Sequence, residues 1–436
     1  MRIGPALWGV LLVLAAASPV SAQDSGAASE PSRLGQEKES RVKVHGFLLG
    51  ALSRRTTGAQ PARGNAGDPV LEEGRVRLDI SGASGSGEAL FLMKGDLLYD
   101  AVVEGSDVDL REAYAGHAKG ALDFRLGRQI ITWGVGDLFF INDIFPKDWE
   151  SFFSGRPMEY LKLGVDALRG RHSSGAVSVD FVAVPFFTQD TLPSAERFVF
   201  PDPLPTVPTR QVVTPPARFS NTELALRLYR QIGGFDASLH AYRGFWRPPG
   251  VRLDDPVSPT SATFFFPELS VFGASGQRNV SGGVLSLEAG YYDSRQDPRG
   301  DDPGIPNSQW RLLAGYQRQA WEDFTIGVQG YAEAMEKYGA YLGSLPAGGA
   351  RQDRIRAVVS VRLTQWLDYQ TWRLSLFAAY SPTDGDYFLQ PEAFHKVTDS
   401  FGVSLGAHVF GGHSDMTFFG QFEESDTVYA IVRFDF

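Results

Sequence analysis

The closing residues of the chain alternate between two kinds of side chain. From Val428 to Phe436 every second residue is apolar, whereas Arg433 and Asp435 lie at positions between them. Successive side chains of a β-strand point to opposite faces, so this pattern predicts a strand with one apolar and one mixed face. Residues 354–364 repeat the pattern, with arginines recurring on the polar face. A soluble sandwich would not place arginines so regularly on a buried face.

Similar segments of roughly ten residues recur along the whole chain, as is typical of a transmembrane β-barrel. The sequence therefore predicts an all-β fold, a single antiparallel transmembrane barrel of about 18 strands, with about 16 as the alternative count. The predicted strands cover residues 42–52, 72–83, 87–99, 108–118, 121–131, 160–171, 175–187, 219–230, 234–246, 267–276, 283–294, 308–319, 323–335, 351–364, 371–381, 386–396, 400–410 and 426–436.

The connections between these strands alternate in length. Tight turns rich in glycine and serine follow the even-numbered strands, as at Gly233-Gly234. Longer loops follow most odd-numbered strands, although the connections at 100–107 and 382–385 are short. Outer-membrane barrels have short periplasmic turns and longer extracellular loops, so both chain ends should be periplasmic. The last strand then closes the barrel against the first.

The first residues predict a targeting segment. Arg2 precedes a short apolar run at 6–17, and a small-residue cleavage site ends at Ala22. These features predict a signal peptide at 1–22, because the apolar run is too short to span a bilayer. We expect residues 23–40, which are polar and small, to be a disordered periplasmic segment. The barrel would then occupy 41–436.

Composition narrows the chemistry. The chain has no cysteine, so disulfides and cysteine metal sites are excluded. The net charge of −10 argues against a nucleic-acid partner. No stretch after the signal peptide has the roughly 18 apolar residues of a membrane helix. We expect the partners to be outer-membrane lipid and a transported solute, in the outer membrane of a Gram-negative bacterium.

One segment resembles known porins. Residues 122–134 read LDFRLGRQIITWG, with Gly127, Arg128, Gln129, Trp133 and Gly134 as the matching positions, and the stretch NDIFPKDWESFFSGRP and the terminal Phe436 add to the likeness. The segment resembles porin-like barrels of the alginate-export type and a related uncharacterised Gram-negative outer-membrane family. The resemblance implies an outer-membrane transport barrel. A terminal aromatic residue on such a strand also resembles the signal that the barrel-assembly machinery recognises.

The predicted third outer loop, 132–159, is the main candidate site. It is long and rich in aromatic residues, and an apolar load of this kind is unfavourable in water. We therefore expect it to fold inward and narrow the lumen, as the third loop does in general porins; an external lid is the alternative. The candidate constriction residues are Asp137, Asp143, Lys147, Asp148, Glu150 and Arg156.

The predicted inward faces carry basic and acidic residues in equal numbers, which favours cross-strand ion pairs and weak charge selectivity. The candidate pore-lining residues are Arg75, Arg77, Arg125, Arg354, Arg356 and Arg362. The last three form the densest basic series. They form either wall ion pairs, which we favour, or a local anion path.

Arg128 breaks the alternation, because Leu126 and Ile130 on the same phase should face lipid. A charge on the lipid face costs roughly 2–4 kcal/mol at the bilayer midplane. A bulge at Gly127 would turn Arg128 inward, and this is the interpretation we favour. Alternatively, Arg128 lies high enough on its strand to reach the headgroups.

Signals for catalysis are weak. Residues 402–406 match G-x-S-x-G, but that motif requires a strand-to-helix turn, whereas these residues lie within an alternating segment. The histidines show no metal-ligand spacing, and we expect neither cofactor nor metal. The sequence predicts a non-enzymatic porin for passive passage of small hydrophilic solutes. The alternative is a substrate-specific channel or exporter for a polysaccharide or an apolar compound. The solute and its direction, the choice between monomer and trimer, and whether the lumen is open or plugged stay open.

Overall fold

The computed structural model describes residues 42–64, 67–256, 258–346 and 351–436. Across these residues the chain forms twenty-one strands and two short α-helices. The strands are β1 (Val42–Arg55), β2 (Leu71–Ala83), β3 (Ala89–Asp100), β4 (Gly105–Lys119), β5 (Leu122–Gln129), β6 (Val165–Ser173), β7 (Ser178–Val184), β8 (Thr209–Val213), β9 (Glu223–Ile232), β10 (Phe235–Phe245), β11 (Gly250–Leu253), β12 (Ser261–Phe265), β13 (Glu268–Val280), β14 (Gly283–Ser294), β15 (Gln309–Trp321), β16 (Phe324–Met335), β17 (Ile355–Leu367), β18 (Trp372–Ser381), β19 (Asp386–Lys396), β20 (Phe401–Gly411) and β21 (Thr427–Asp435). The helices are α1 (Trp149–Ser154) and α2 (Tyr338–Ser344).

Eighteen of the strands form one antiparallel sheet that closes on itself. Each strand pairs with the next sheet strand along the chain, and β1 also pairs with β21. Gly46 and Phe436 exchange two backbone hydrogen bonds of 2.9 Å at this seam. Closure satisfies the backbone groups of the end strands, which lipid could not do. The predicted barrel and its higher strand count are confirmed.

Exposure is inverted relative to a soluble protein. In β2, Leu78 is 44% exposed whereas its neighbour Arg77 is 4% exposed. In β17, Val359 is exposed whereas Val358 and Ser360 are buried. Apolar side chains therefore point out from the barrel and polar ones point into it, which is the arrangement of a barrel embedded in lipid.

The turns at one end of the barrel are short. Gly233 and Gly234 alone join β9 to β10, and both have positive φ, at 58° and 81°. Two-residue hairpins need this conformation, and glycine adopts it without steric cost. The connections at the other end are mostly long, including 56–70, 130–164 and 185–222. The expected short exceptions are also present, at 101–104 and 382–385.

The long outer loops contain structure that the sequence pattern did not predict. β8 pairs in parallel with β12, and β11 pairs antiparallel with β12, which gives a separate three-stranded sheet. β8 is exposed along its length, so it lacks the alternation that identifies a half-buried strand. None of the described helices is long and apolar enough to cross a membrane. The predicted signal peptide, 1–22, and the segment 23–40 lie outside the described residues.

The position of Arg128 corrects one prediction. Gly127 has a φ of +124°, but the pairing of β5 with β4 and β6 continues through it without a shift. Arg128 lies opposite Asp166 on the face that carries the exposed Leu168, and the two charges are 3.7 Å apart. Arg128 therefore faces outward at the outer end of β5. Register shifts lie instead between β3 and β4, next to Lys94, and between β15 and β16, next to Trp321.

Candidate functional site in the barrel lumen

The connection between β5 and β6, residues 130–164, contacts the inner wall of the barrel; we call it the inward segment. One of its contacts is with Glu288 in β14. One carboxylate oxygen accepts hydrogen bonds of 3.1 Å from the backbone N–H groups of Val135 and Gly136, and the other accepts one of 2.7 Å from Asn142. A buried carboxylate with three N–H partners holds this stretch against β14.

Two glycines on the wall make room for this contact. Gly273 in β13 and Gly290 in β14 lie directly opposite each other. A Cβ atom at Gly273 would overlap the Asn142 side chain, and one at Gly290 would lie 2.7 Å from Ile141. The Asn142 amide donates to the carbonyls of Ala274 and Ala289, at 3.2 and 3.3 Å. The segment therefore fits a notch in the wall.

The next residues of the inward segment reach β16 and β17. The Asp137 carboxylate forms an ion pair with Arg362, and its backbone N–H donates to Gln329 at 3.1 Å. The ring of Phe139 stacks on Tyr331, with centroids 5.2 Å apart. Polar and apolar contacts thus fix the same stretch of backbone from two sides.

Helix α1 carries the segment to another part of the wall. Asp148 caps its first turn by accepting from the Ser151 N–H at 2.8 Å. Phe153 packs against Phe388, Phe410 and Phe422, with ring centroids 5.0 to 5.9 Å apart. This aromatic cluster joins the segment to β19, β20 and the loop before β21.

The residues of the segment after α1 contact a dense ionic network on β2 and β3. Arg156 pairs with Glu73 at 2.9 Å and with Asp100 at 3.2 Å. The Tyr160 ring lies under the guanidinium of Arg75, 4.2 Å from its centroid, and under that of Arg111, at 4.9 Å. The segment therefore touches strands around much of the barrel circumference.

The structure places most of the predicted constriction charges in ion pairs. Asp143 lies 3.2 Å from Lys147 and 2.7 Å from Lys162. Glu150 pairs with Arg197 at 3.0 Å. Asp137 and Arg156 pair with the wall, and Asp148 caps α1, as described above. These residues hold the segment in place, and their role as a pore constriction stays a prediction.

The predicted lining arginines also have partners. Arg75 and Arg77 both contact Asp96, and both are buried. Arg125 pairs with Asp123 at 3.2 Å. Arg356 pairs with Asp384 at 2.6 Å, whereas Arg354 is exposed just before β17. Arg356 thus pairs with a residue of the β18–β19 connection and Arg362 with Asp137 of the inward segment; the choice between wall pairs and a local anion path stays a prediction.

Burial changes the ionisation of two groups where the outer loops meet the segment. Asp190 accepts from the Lys147 backbone N–H at 2.8 Å and from the Trp149 indole N–H at 3.2 Å. Desolvation of its carboxyl raises the pKa of Asp190 above the usual range. Desolvation likewise lowers the pKa of Lys147, whose ammonium group is buried beside Asp143.

Two lumenal cavities flank residues 138–140. The outer chamber, on the side of the outer loops, has a volume of about 620 Å³ and a wall rich in aromatic residues. The polar chamber, bounded by β2, β3 and β4, has a volume of about 490 Å³ and is lined by charged residues such as Arg77, Lys94 and Glu112. Leu138 and Phe140 line both cavities. They lie at the junction between the two chambers.

Several of these residues escaped sequence analysis. The inward orientation of Glu288 follows from alternation, but its partner on the segment lies 146 positions away. The Tyr292 hydroxyl donates to the Ile141 carbonyl at 2.5 Å. Nothing in the sequence indicated that Tyr292 or Asn142 would take part in contacts between the segment and the wall. The glycines at 273 and 290, both inward and adjacent in register, are the one feature that could have indicated a close approach.

The hydrolase-like motif has no catalytic geometry in the structure. Residues 402–406 lie inside β20 rather than at a strand-to-helix turn. His408 is buried, with Nδ1 3.4 Å from the Thr427 hydroxyl. Among the described residues no group of His, Asp or Glu side chains is arranged to bind a metal ion.

Comparison with solved structures identifies the fold. OccD3 of Pseudomonas aeruginosa superposes with a TM-score of 0.56 at 10% identity, covering 91% of this chain and 91% of that one. OccK3 of the same organism gives a TM-score of 0.54 at 8% identity, covering 91% of this chain and 95% of that one. OccK11 gives 0.51 at 9% identity, covering 90% of this chain and 95% of that one. No family model and no curated protein matches the chain.

These neighbours are outer-membrane porins, so the chain has an outer-membrane porin fold. The predicted location in a Gram-negative outer membrane is consistent with this fold and with the apolar outer face. The resemblance to alginate-export-type porins is not confirmed by the comparisons. At identities this low, the solute must be argued from the lumen itself.

Proposed function

We propose that this protein is an outer-membrane channel for the passive passage of small hydrophilic solutes, narrowed by the inward segment. The observation that carries the proposal is the position of Leu138 and Phe140 between two lumenal cavities. A barrel of eighteen strands is too wide for side chains from its wall to fill, so a water-filled path is expected. The segment then sets the width of that path.

The charges of the lumen support weak ion selectivity. Acidic and basic side chains pair across the wall, as Arg169 does with Asp180 at 2.5 Å and Arg373 with Glu392 at 2.6 Å. A ring of one sign would select by charge, but matched pairs largely cancel each other's field. Selection would therefore depend on size and on contacts at the segment.

A planar-bilayer recording tests the proposal. Purified protein should give stepwise ion conductance, and deletion of residues 138–155 should raise it. Deletion of the exposed strand β8, residues 209–213, is a matched control that shortens another outer loop and leaves the inward segment intact. Heat-modifiable migration in detergent gels verifies that each variant is folded. A conductance for the 138–155 deletion no larger than that of the intact protein would contradict the narrowing role.

We also propose that the chain enters the membrane through the barrel-assembly machinery, which would recognise the last strand. The terminal residue supports this role, because Phe436 pairs with Gly46 at the seam and its ring packs over that glycine. Deleting Phe436 should lower the amount of folded barrel in the outer membrane, whereas deleting a residue of the exposed turn at 368–370 should not.

A substrate-specific channel is the second candidate function. The observation that favours it is the aromatic wall of the outer chamber, because a purely size-selective pore has no need of such a surface. A specific solute should reduce single-channel current at micromolar concentration. Current reduced equally by all small solutes of one size would oppose specificity.

A further inference from the structure

The outer chamber, which lies on the proposed path, also has the features of a ligand site. Aromatic rings from several separate parts of the chain surround it. Trp149 and Phe153 come from α1, Trp246 from the loop after β10, and Phe418 from the loop before β21. The Phe418 ring lies 6.3 Å from both Trp149 and Phe153, and its side chain is 42% exposed. An aromatic solute could pack against these faces and edges.

The positive charges on the chamber wall already have carboxylate partners. Arg356 lies 2.6 Å from Asp384, Arg311 lies 3.7 Å from Glu333, and Arg247 lies 3.1 Å from Glu223. The fourth cation, Lys147, pairs with Asp143. The wall also includes the Glu333 and Asp190 carboxylates. An anionic ligand would have to compete with these pairs, so the wall favours an uncharged ligand.

The chamber wall also contains two hydrogen-bond donors that lack partners. Arg356 Nη2 and Trp246 Nε1 are buried, and within the described residues no atom accepts from them. A buried donor without a partner is unfavourable. An oxygen acceptor on a bound ligand, reached by a small side-chain rotation, would satisfy such a donor.

We propose that the outer chamber binds uncharged solutes that combine an aromatic ring with several oxygen acceptors, of which aryl glycosides are an example. This inference rests on the proposed channel function, because it names the class of solute that the channel would concentrate at its outer end. The ring packs against Trp149 and Phe418. The oxygen atoms face the Arg356 and Trp246 donors.

Binding by isothermal titration calorimetry in detergent tests the inference without requiring conduction. Three probes separate the ring from the charge: phenyl glucoside, methyl glucoside, which lacks the ring, and benzoate, which has the ring and a negative charge. Phenyl glucoside should bind, and the other two should bind at least tenfold more weakly. Phe418→Ala should weaken the binding of phenyl glucoside roughly two- to tenfold, as expected for the loss of one aromatic contact. Phe219→Ala, which removes a fully exposed ring in another outer loop, should have no effect.

Every other outcome overturns the inference. Equal binding of methyl glucoside would show that the ring is not recognised. Tighter binding of benzoate would show that the chamber is an anion site. If none of the three probes binds, the outer chamber is not a binding site for this class of solute. Potassium chloride conductance, measured on the same preparations, is a separate readout. Binding without conductance contradicts only the proposed channel function. Conductance without binding contradicts only the proposed ligand site in the outer chamber.

Discussion

Asp137 in the inward segment and Arg362 in β17 form an ion pair between residues 225 positions apart in the sequence. Each side chain is about one-third exposed, so the pair borders the water of the lumen. A pair in such surroundings contributes roughly 0–1 kcal/mol to stability. Its larger consequence is electrostatic, because the two charges cancel each other's field where the inward segment meets the wall.

Removing one member of this pair should change ion selectivity. Asp137→Ala leaves the Arg362 charge unpaired and should favour anions, whereas Arg362→Ala should favour cations. The measurement is the reversal potential in a salt gradient across a planar bilayer. The exchanged double variant, Asp137→Arg with Arg362→Asp, should return selectivity toward that of the wild type. Shifts of the same sign in both single variants would contradict the placement of the pair.

Loss of the Glu288 carboxylate should release the beginning of the segment. Glu288→Ala leaves the N–H groups of Val135, Gly136 and Asn142 without their acceptor, at a cost of roughly 1–3 kcal/mol. We expect a lower urea midpoint for unfolding and noisier, larger single-channel currents. Asp293→Ala, on the outward face of the same strand, is the control. Unchanged current noise in Glu288→Ala would show that other contacts suffice to hold the segment.

Truncation of Phe153 should destabilise the barrel strongly. This ring is 2% exposed and lies within the aromatic cluster that joins α1 to β19 and β20. Replacing a buried phenylalanine by alanine costs about 3–5 kcal/mol. Urea unfolding followed by tryptophan fluorescence gives the change in the free energy of unfolding. Phe186→Ala, which removes an exposed ring just after β7, should change it by less than about 0.5 kcal/mol.

Acidification should protonate Asp190 at its contact with the segment. Because burial raises the pKa of Asp190, its carboxyl takes up a proton at a pH above the ordinary value of about 3.9. Between about 3.9, the pKa in the unfolded chain, and the raised pKa in the folded protein, Asp190 binds more protons in the folded state. The contribution of Asp190 to the free energy of unfolding therefore falls as the pH rises from the first value to the second. Protonation removes the negative charge beside the Trp149 indole and makes the carboxyl a weaker acceptor, so Trp149 fluorescence should change there.

The titration compares wild type with Asp190→Asn, and Trp149→Phe identifies which part of the signal belongs to Trp149. We expect the transition in the wild type and its absence in Asp190→Asn. A transition with a midpoint at or below about 3.9, or one that persists in Asp190→Asn, would contradict the assignment to this carboxyl.

The strands were predictable because lipid imposes a strict rule on each of them. Leu78 faces acyl chains and Arg77 does not, so the alternation of apolar and polar residues can be recognised within a short stretch of the sequence. Closure, strand count and loop alternation then followed from one another. The strand predicted to begin at 160 begins instead at Val165, because Met158–Leu161 forms a 3₁₀ turn in which Tyr160 packs under the arginines of the wall.

The lumen was less predictable, because its contacts depend on distant pairs. The aromatic content of the loop indicated that it would not remain in water, but not that Phe153 would meet Phe388. Charged residues of the segment were identified as candidates, yet nothing local shows that Asp137 finds Arg362. Arg128 was misplaced because its break in the alternation was attributed to a bulge at Gly127, whereas the strand register continues through this glycine.

The central claim is that solutes pass Leu138 between the two chambers. The chain has no cysteine, so a single Leu138→Cys substitution gives a unique reactive thiol. Leu312→Cys, on the outer face of β15, is the matched control. In planar bilayers, a charged thiol reagent should reduce the conductance of Leu138→Cys in discrete steps and leave Leu312→Cys unchanged. Undiminished conductance after complete modification of Leu138→Cys, verified by mass spectrometry, would contradict the account.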